Sequence, residues 1–158
     1  DAADFTTGSS FHRVLCDDAE RGHSATSLLP DDQIRRVVMC SGKVYYDLLE
    51  ERDARGLRDV YLLRVEQFYP FPAISIVKEL ERFKNAEMIW AQEEPKNQGA
   101  WSFIEPNLEW ALGRVGAKFG RARYVGRAAS ASPATGLASQ HKAQQTALVN
   151  EALSIEDK

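Results

Sequence analysis

The chain has 158 residues, of which 44% are hydrophobic and 27% charged, and its formal net charge is -3 at neutral pH. This length and composition predict one soluble globular domain with an apolar core of useful size. The small negative charge gives no general attraction to nucleic acid or to an anionic membrane. No apolar stretch approaches the roughly 18 residues that a membrane-spanning helix needs.

The amino-terminal part of the chain is polar and irregular. It predicts an arm and linker over residues 1–33, followed by one α/β domain over residues 34–158. Residues 11–15 are apolar enough for a short strand, whereas residues 22–32 are rich in Ser, Thr, Asp and Gly, as linkers are. Cys16 and Cys40 have no partner at a zinc or redox spacing. We therefore expect a buried thiol at Cys40, which ends an apolar run, and a reducing, intracellular setting.

From residue 35 onward, apolar runs alternate with amphipathic segments. The predicted strands cover residues 36–40, 60–65, 88–91 and 123–125, and the predicted helices cover residues 44–55, 72–83, 99–112 and 138–153. This alternation predicts a mostly parallel sheet with helices on both faces. Pro106 predicts a kink or a broken start in the third helix, and Ser139 is a candidate cap for the last one.

The turn between the first predicted strand and helix is Ser41-Gly42-Lys43. A helix amino terminus next to a glycine and a lysine suits an anion. However, neither of the usual glycine-rich phosphate-binding patterns is present. Two interpretations stay open: a tight turn with a solvent-facing lysine, and an anion contact.

The third predicted strand ends in a polar run. Glu93 and Glu94 follow its apolar residues directly, and Asn97 and Gln98 come next. Ligand and partner contacts gather at the carboxyl ends of strands in open α/β sheets. Adjacent strand residues point to opposite faces, so this pair favours a structural or interface role over paired acid–base catalysis.

Three other features carry weaker signals. The histidines, His12, His23 and His141, are far apart and lack metal-site spacing. The loop over residues 127–136 holds only small side chains after Arg127, which favours packing against another domain or chain; a flexible surface loop is the alternative. The aromatic residues at positions 68–71 favour contact with a partner surface.

Four blocks resemble the carboxyl-terminal domain of the 2-oxoglutarate dehydrogenases, in their thiamine-dependent decarboxylating component. They are RRVVMCSGKVYYDL (residues 35–48), RVEQFYPFP (64–72), QEEPKNQGAW (92–101) and YVGR with ASASPA (124–127 and 129–134). The resemblance extends over about residues 11–153. Four blocks in the same order make it far more specific than one short motif.

The resemblance implies a fold like that of the transketolase carboxyl-terminal domain. This is an α/β three-layer sandwich with a mostly parallel, mixed five-stranded sheet, in which one strand is antiparallel. The pattern in this chain predicts four strands. Residues 11–15, or another segment, would supply the fifth.

The resemblance also implies an activity for the full-length enzyme. Such an enzyme is a homodimer that uses thiamine diphosphate and Mg²⁺ to decarboxylate 2-oxoglutarate oxidatively in the citric acid cycle. It passes the succinyl group to the lipoyl arm of dihydrolipoyl succinyltransferase, and dihydrolipoyl dehydrogenase completes the complex. It is located in the bacterial cytoplasm or the mitochondrial matrix.

For this chain itself the resemblance implies a structural and dimerisation role. Thiamine diphosphate and Mg²⁺ are expected in the other domains, so no catalytic, cofactor-binding or metal-binding residue is predicted here. The alternative is a regulatory module that binds AMP or acetyl-CoA. The candidate effector or interface contacts are Ser41, Lys43, Arg64, Glu93, Glu94, Gln98, Arg127 and Ser130.

Overall fold

The structure, a computed structural model, describes residues 10–154, which form one sheet of five strands with four α-helices. The strands are β1 (Val14–Leu15), β2 (Arg36–Cys40), β3 (Val60–Val65), β4 (Glu87–Pro95) and β5 (Arg123–Arg127), and the helices are α1 (Val44–Arg55), α2 (Ala73–Leu80), α3 (Trp101–Val115) and α4 (Ala138–Leu153). The order is β1-β3-β2-β4-β5. Only β1 pairs in antiparallel fashion among these described strands. The predicted mixed sheet is confirmed, and residues 14–15 are its fifth strand.

The two faces of the sheet each pack against a pair of helices. In β2, every residue is buried, as its unbroken apolar run predicts. Val37 and Met39 join the core formed with α2 and α3, whereas Val38 and Cys40 join the core formed with α1 and α4. Alternate residues of one strand therefore reach opposite faces, which gives the predicted three-layer sandwich and confirms the buried thiol at Cys40.

The segment between β1 and β2 packs against this sandwich. Asp17 is fully buried and forms an ion pair with the equally buried Arg52 of α1. Its carboxylate also accepts a hydrogen bond from the backbone N–H of Leu62, at 2.7 Å. Short 3-10 turns follow at Asp18–Arg21 and Asp31–Gln33. The domain boundary at residue 33 stays a prediction, and residues 1–9 of the predicted arm and 155–158 of the predicted domain lie outside the described residues.

Two predicted element boundaries differ because of the segment around Gln92. Strand β4 continues to Pro95 rather than ending at residue 91, and its pairing with β5 shifts register between Gln92 and Pro95. Helix α3 begins at Trp101 rather than at Gly99. The backbone of Gly99 has a φ of 66°, which lies outside the helical region.

Two expectations concerned residues near helix ends, and each was wrong at least in part. Helix α3 is continuous across Pro106, so it has no broken start, and the alternative, a kink, stays a prediction. Pro106 lies near the amino terminus, where the missing N–H removes one hydrogen bond to the exposed first turn. Ser139 does not cap α4, because it is the second residue of that helix and Leu137 occupies the cap position without a side-chain hydrogen bond. No helix within residues 10–154 has the length and hydrophobicity to cross a bilayer.

Candidate functional site

The carboxyl ends of the parallel strands bring several of the predicted residues to one edge of the sheet. A cavity of about 430 Å³ opens there, which we call the carboxyl-edge cleft. Its lining residues are Ser41, Gly42, Lys43, Phe68, Tyr69, Trp90, Gln92, Glu93, Glu94, Gly99, Ala100 and Phe103. The cleft therefore combines aromatic walls with one ammonium group and two carboxylates.

Gln92 organises the floor of the carboxyl-edge cleft. Its side-chain carbonyl accepts hydrogen bonds from Trp90 Nε1 and from the backbone N–H of Trp101, both at 3.0 Å. Its amide donates to the carbonyl oxygen of Gln98 at 2.8 Å. Because Gln92 is 4% exposed, these bonds replace those that water would make. The side chain thus joins β4 to the start of α3 and fixes the turn between the end of β4, which carries Glu93 and Glu94, and that helix.

Lys43 lies at the rim of the cleft and is 70% exposed. Its ammonium group is 3.1 Å from Asp47 Oδ2 and 3.9 Å from Glu93 Oε1. The hydrogen bond that Lys43 donates to Asp47 and the negative charge of Glu93 raise the pKa of Lys43 above its ordinary value. The proposed anion contact at this turn stays a prediction, but an anion would have to compete with both carboxylates.

Glu93 and Glu94 have different surroundings, as alternation along a strand predicts. Glu93 is half-buried beside Lys43. Glu94 is exposed, and its carboxylate forms no ion pair with any residue in the described part of the chain. A Cβ atom at Gly99 would lie 3.0 Å from Glu94 Cβ and 3.1 Å from Glu94 Oε2. The glycine therefore leaves the space that the Glu94 side chain occupies.

Arg64 lies near the end of β3 but does not line the cleft. Its guanidinium group is centred 4.3 Å from the Tyr45 ring, and Nη1 donates to the Tyr46 hydroxyl at 3.2 Å. Nε is buried without a hydrogen-bond partner among residues 10–154, although Glu66 Oε1 is 3.9 Å away. Arg64 is thus held by stacking on aromatic rings.

The loop after β5 packs against the turn after β4. The carbonyl oxygen of Ser130 accepts hydrogen bonds from the amides of Asn97 and Gln98, at 2.9 and 3.0 Å. Arg127 Nη2 is 2.9 Å from His141 Nδ1 on α4. A cavity of about 350 Å³ adjoins this loop, lined by Arg127, Ser130 and several small residues. Gln98, Arg127 and Ser130 therefore form a second group next to the cleft.

The aromatic segment at positions 68–71 differs in part from its prediction. Phe68 and Phe71 pack on the core, and the Phe68 ring centre is 6.1 Å from that of Trp90. Only Tyr69 of these aromatic side chains extends outward, with 83% of its surface exposed. Sequence reasoning missed the roles of Gln92 and Phe103. The sequence could have indicated Gln92, because it is the first polar residue after an apolar strand. Nothing in the sequence beyond its position in a predicted helix indicates Phe103.

One group of possible metal ligands comes together within residues 10–154. The ligand atoms of Cys16, Glu20 and Glu79 all lie within 4.8 Å of one another. The guanidinium group of Arg82 bonds to both glutamates. Because Arg82 already supplies the positive charge that a metal ion would bring, the geometry favours an ion-pair cluster there.

Comparison with known proteins identifies the family. The family described as 2-oxoglutarate dehydrogenase C-terminal matches residues 1–153. The 2-oxoglutarate dehydrogenase E1 component of Brucella ovis is 60% identical over 152 residues, which cover 96% of this chain and 15% of that protein. The protein of the same name from Brucella anthropi is 62% identical over 146 residues, covering 92% of this chain and 15% of that protein.

The chain thus spans about 15% of the length of the curated relatives that it matches. The matched region includes all eight residues predicted as effector or interface contacts. The identity is high over almost the whole chain, and the family match covers both the amino-terminal segment and the sandwich. The chain therefore belongs to the 2-oxoglutarate dehydrogenase C-terminal family.

Proposed function

We propose that this chain is the carboxyl-terminal contact domain of a 2-oxoglutarate dehydrogenase E1 component, and that it supports the dimer without carrying catalytic residues. The observation that carries the proposal is the carboxyl-edge cleft, at which Tyr69 is 83% and Phe103 is 40% exposed. Exposed aromatic side chains at the rim of a cleft with aromatic walls are typical of a surface that another protein segment covers. The relatives offer such segments, because 85% of their length lies outside the match.

The activity of the whole protein belongs to the same proposal. The E1 component would decarboxylate 2-oxoglutarate oxidatively with thiamine diphosphate and Mg²⁺. It would transfer the succinyl group to the lipoyl arm of dihydrolipoyl succinyltransferase, in a complex with dihydrolipoyl dehydrogenase. The name of the relatives supports the substrate class, and the bacterial cytoplasm or the mitochondrial matrix is the corresponding location.

The residues of the carboxyl-edge cleft do not fit thiamine diphosphate. A diphosphate group needs several free cationic or N–H donors around it. In the cleft, the Lys43 ammonium already contacts Asp47 and Glu93, and the Glu94 carboxylate adds a further negative charge. The proposal therefore assigns the cofactor to other domains and no chemical step to this edge.

The contact role is tested in the full-length protein that contains this sequence. We expect Tyr69→Ala to weaken its dimer and to lower decarboxylation of 2-oxoglutarate, because the substitution removes an exposed aromatic anchor. Sedimentation velocity and ferricyanide reduction measure the two effects. The matched control is Trp110→Ala, since Trp110 is 52% exposed on α3 and does not line the cleft. The proposal would be contradicted if both variants had the same dimer stability and the same decarboxylation rate as the unsubstituted protein.

The absence of catalysis is tested on the 158-residue chain. With thiamine diphosphate, Mg²⁺ and 2-oxoglutarate present, we expect no release of carbon dioxide. Turnover by the purified chain would overturn the non-catalytic role while leaving the family assignment intact.

A nucleotide-effector site is a second proposal, favoured by the cavity of about 350 Å³ beside Arg127. Arg127 Nε has no hydrogen-bond partner among the described residues, and Ser130 and Thr135 line the same cavity. Calorimetric titration of the chain with AMP and with acetyl-CoA tests this proposal. Binding heat that Arg127→Ala abolishes would support it, and no heat at millimolar ligand would contradict autonomous binding.

A further inference from the structure

The carboxyl-edge cleft is suited to a cationic group rather than to an anionic one. Two glutamates, Glu93 and Glu94, line it together with one lysine, Lys43. Lys43 is committed to Asp47 and Glu93, whereas the Glu94 carboxylate has no ion pair within residues 10–154. An incoming cation would therefore find its counter-charge at Glu94, and an incoming anion would meet an excess of negative charge.

The backbone of Glu94 is held in place, and its side chain lies close to Gly99. A Cβ atom at Gly99 would lie 3.0 Å from Glu94 Cβ and 3.1 Å from Glu94 Oε2. The Glu94 carbonyl oxygen accepts hydrogen bonds from Gln92 Nε2 at 3.2 Å and from the Tyr124 hydroxyl at 3.1 Å. A carboxylate on an anchored backbone loses less entropy on binding than one on a free loop.

Aromatic side chains form the remaining walls of the cleft. Phe68 and Trp90 pack against each other at its base, and Tyr69 and Phe103 are exposed at its rim. A planar cation that stacks on aromatic rings and pairs with a carboxylate matches this combination. The guanidinium group of arginine has both properties, and its apolar stem suits the walls. The ammonium group of lysine is compact and strongly hydrated, so it fits less well.

We propose that the carboxyl-edge cleft binds an arginine side chain, presented by a polypeptide segment from the remainder of the longer protein. The inference rests on the proposed contact role, and it names the chemistry of the occupant. The segment is assigned to the longer protein because this chain spans 15% of the length of its relatives. The guanidinium pairs with Glu94 and stacks between Tyr69 and Phe103.

The test uses ¹⁵N-labelled 158-residue chain and two short peptides. The first probe is acetyl-Leu-Arg-Leu-amide, and the matched probe replaces arginine by citrulline, which has nearly the same shape without the charge. We expect saturable shifts of the backbone amide signals of Lys43, Tyr69 and Gly99 with the arginine peptide. The citrulline peptide should bind about fivefold more weakly, as the loss of one partly exposed ion pair predicts. Equal affinities, or shifts confined to other residues, would overturn the proposal.

Variants of the chain separate the cleft from the rest of the surface. Glu94→Gln should weaken the arginine peptide about fivefold and leave the citrulline peptide unchanged. The matched control, Glu50→Gln, makes the same charge change on the exposed side of α1 and should leave both affinities unchanged. Thermal unfolding confirms that each variant is folded. Unchanged arginine affinity in Glu94→Gln would overturn the assignment of the ion pair.

Failure of the arginine proposal can be distinguished from failure of the proposed contact role. If Tyr69→Ala weakens the full-length dimer while neither peptide binds the cleft, the contact role stands and the arginine assignment fails. If the arginine peptide binds as expected while Tyr69→Ala leaves the dimer unaffected, the cleft recognises arginine but does not support dimerisation.

Discussion

At the scale of single residues, buried arginines hold the described part of the chain together. Arg36 is 3% exposed, and its Nη1 donates to the carbonyl oxygens of Ala152 and Ser154 at the end of α4, at 2.9 and 2.6 Å. Its Nη2 pairs with Glu87 at 2.5 Å. The last carbonyl groups of a helix lack partners within that helix and carry partial negative charge. Arg36 therefore fixes the end of α4 against the amino end of the sheet.

Glu87 should make stability depend on pH. Partial burial raises the pKa of Glu87, but hydrogen bonds and charges from Arg36 and Arg123 lower it by more, so the net pKa lies below the ordinary 4.5. The folded chain thus binds this proton more weakly than the unfolded chain does. Its contribution to stability is complete above pH 4.5 and disappears as the pH falls through the lower, folded pKa.

The measurement is urea unfolding of the chain and of Glu87→Gln between pH 6 and roughly pH 3, a range that brackets glutamate titration. We expect the variant to be less stable than the unsubstituted chain at pH 6, and this difference to shrink below pH 4.5. The exposed Glu50→Gln serves as the control and should follow the unsubstituted chain. A difference that stays constant with pH would contradict this assignment.

At the scale of elements, one glycine, Gly126 of β5, determines how closely β4 and β5 can approach. A Cβ atom at Gly126 of β5 would lie 2.6 Å from the carbonyl oxygen of Gln92 and 2.5 Å from the Tyr124 hydroxyl. The carbonyl belongs to the backbone at the point where the pairing of the two strands shifts register. A side chain larger than hydrogen at this position must therefore move one strand relative to the other.

One alanine substitution, at Gly126, tests this constraint, and a second, at a glycine with open space around it, is the comparison. The two are expected to change stability in opposite directions. We expect Gly126→Ala to lower the free energy of unfolding by about 1–3 kcal/mol, as overpacking does. In α3, Gly113 has no atom within 4 Å of the position of a Cβ, so Gly113→Ala should raise stability by up to about 1 kcal/mol through helix propensity. Urea unfolding at neutral pH measures both. A Gly126→Ala chain as stable as the unsubstituted one would show that the strands adjust without cost.

The elements that a single sequence predicts well are those whose own pattern determines them. The segments that form β2 and β3 are apolar except for Arg36 and Arg64, so their predicted bounds agree with the structure. The extension of β4 beyond residue 91 depends on Gln92, whose hydrogen-bond partners reach as far as residue 101. The two-residue strand β1 is stabilised by its pairing with β3, which no local pattern shows.

The candidate site was predictable in part for the same reason. Ser41, Lys43, Glu93 and Glu94 were singled out because they follow strands, and parallel strands bring their ends to one edge. The position of Arg64 away from the cleft was not predictable. Arg64 stacks on Tyr45, and this contact depends on how α1 packs against the sheet. The structure also adds the exposure of individual aromatic side chains, which the sequence alone does not provide.

At the scale of the whole molecule, the segment between β1 and β2 is a structural part of the described sandwich. Asp17 neutralises the fully buried Arg52, and Arg82 bonds to Glu20 and Asp31 of the same segment as well as to Glu79 of α2. Removing one partner of a buried ion pair costs about 3–5 kcal/mol because the other charge remains buried. This cost is a large part of the roughly 5–15 kcal/mol by which domains are stable.

We therefore expect a chain that begins at Ile34 to lose cooperative unfolding, whereas a chain that begins at Ser10 keeps it. The shorter chain lacks Asp17, both 3-10 turns and the strand that pairs with β3. Asp17→Ala in the longer chain isolates the ion pair and should lower stability without abolishing the transition. Circular dichroism during urea unfolding measures all three. A cooperative transition of equal midpoint in the chain from Ile34 would mean that the sandwich is complete without this segment, and the boundary predicted at residue 33 would then mark an independent domain.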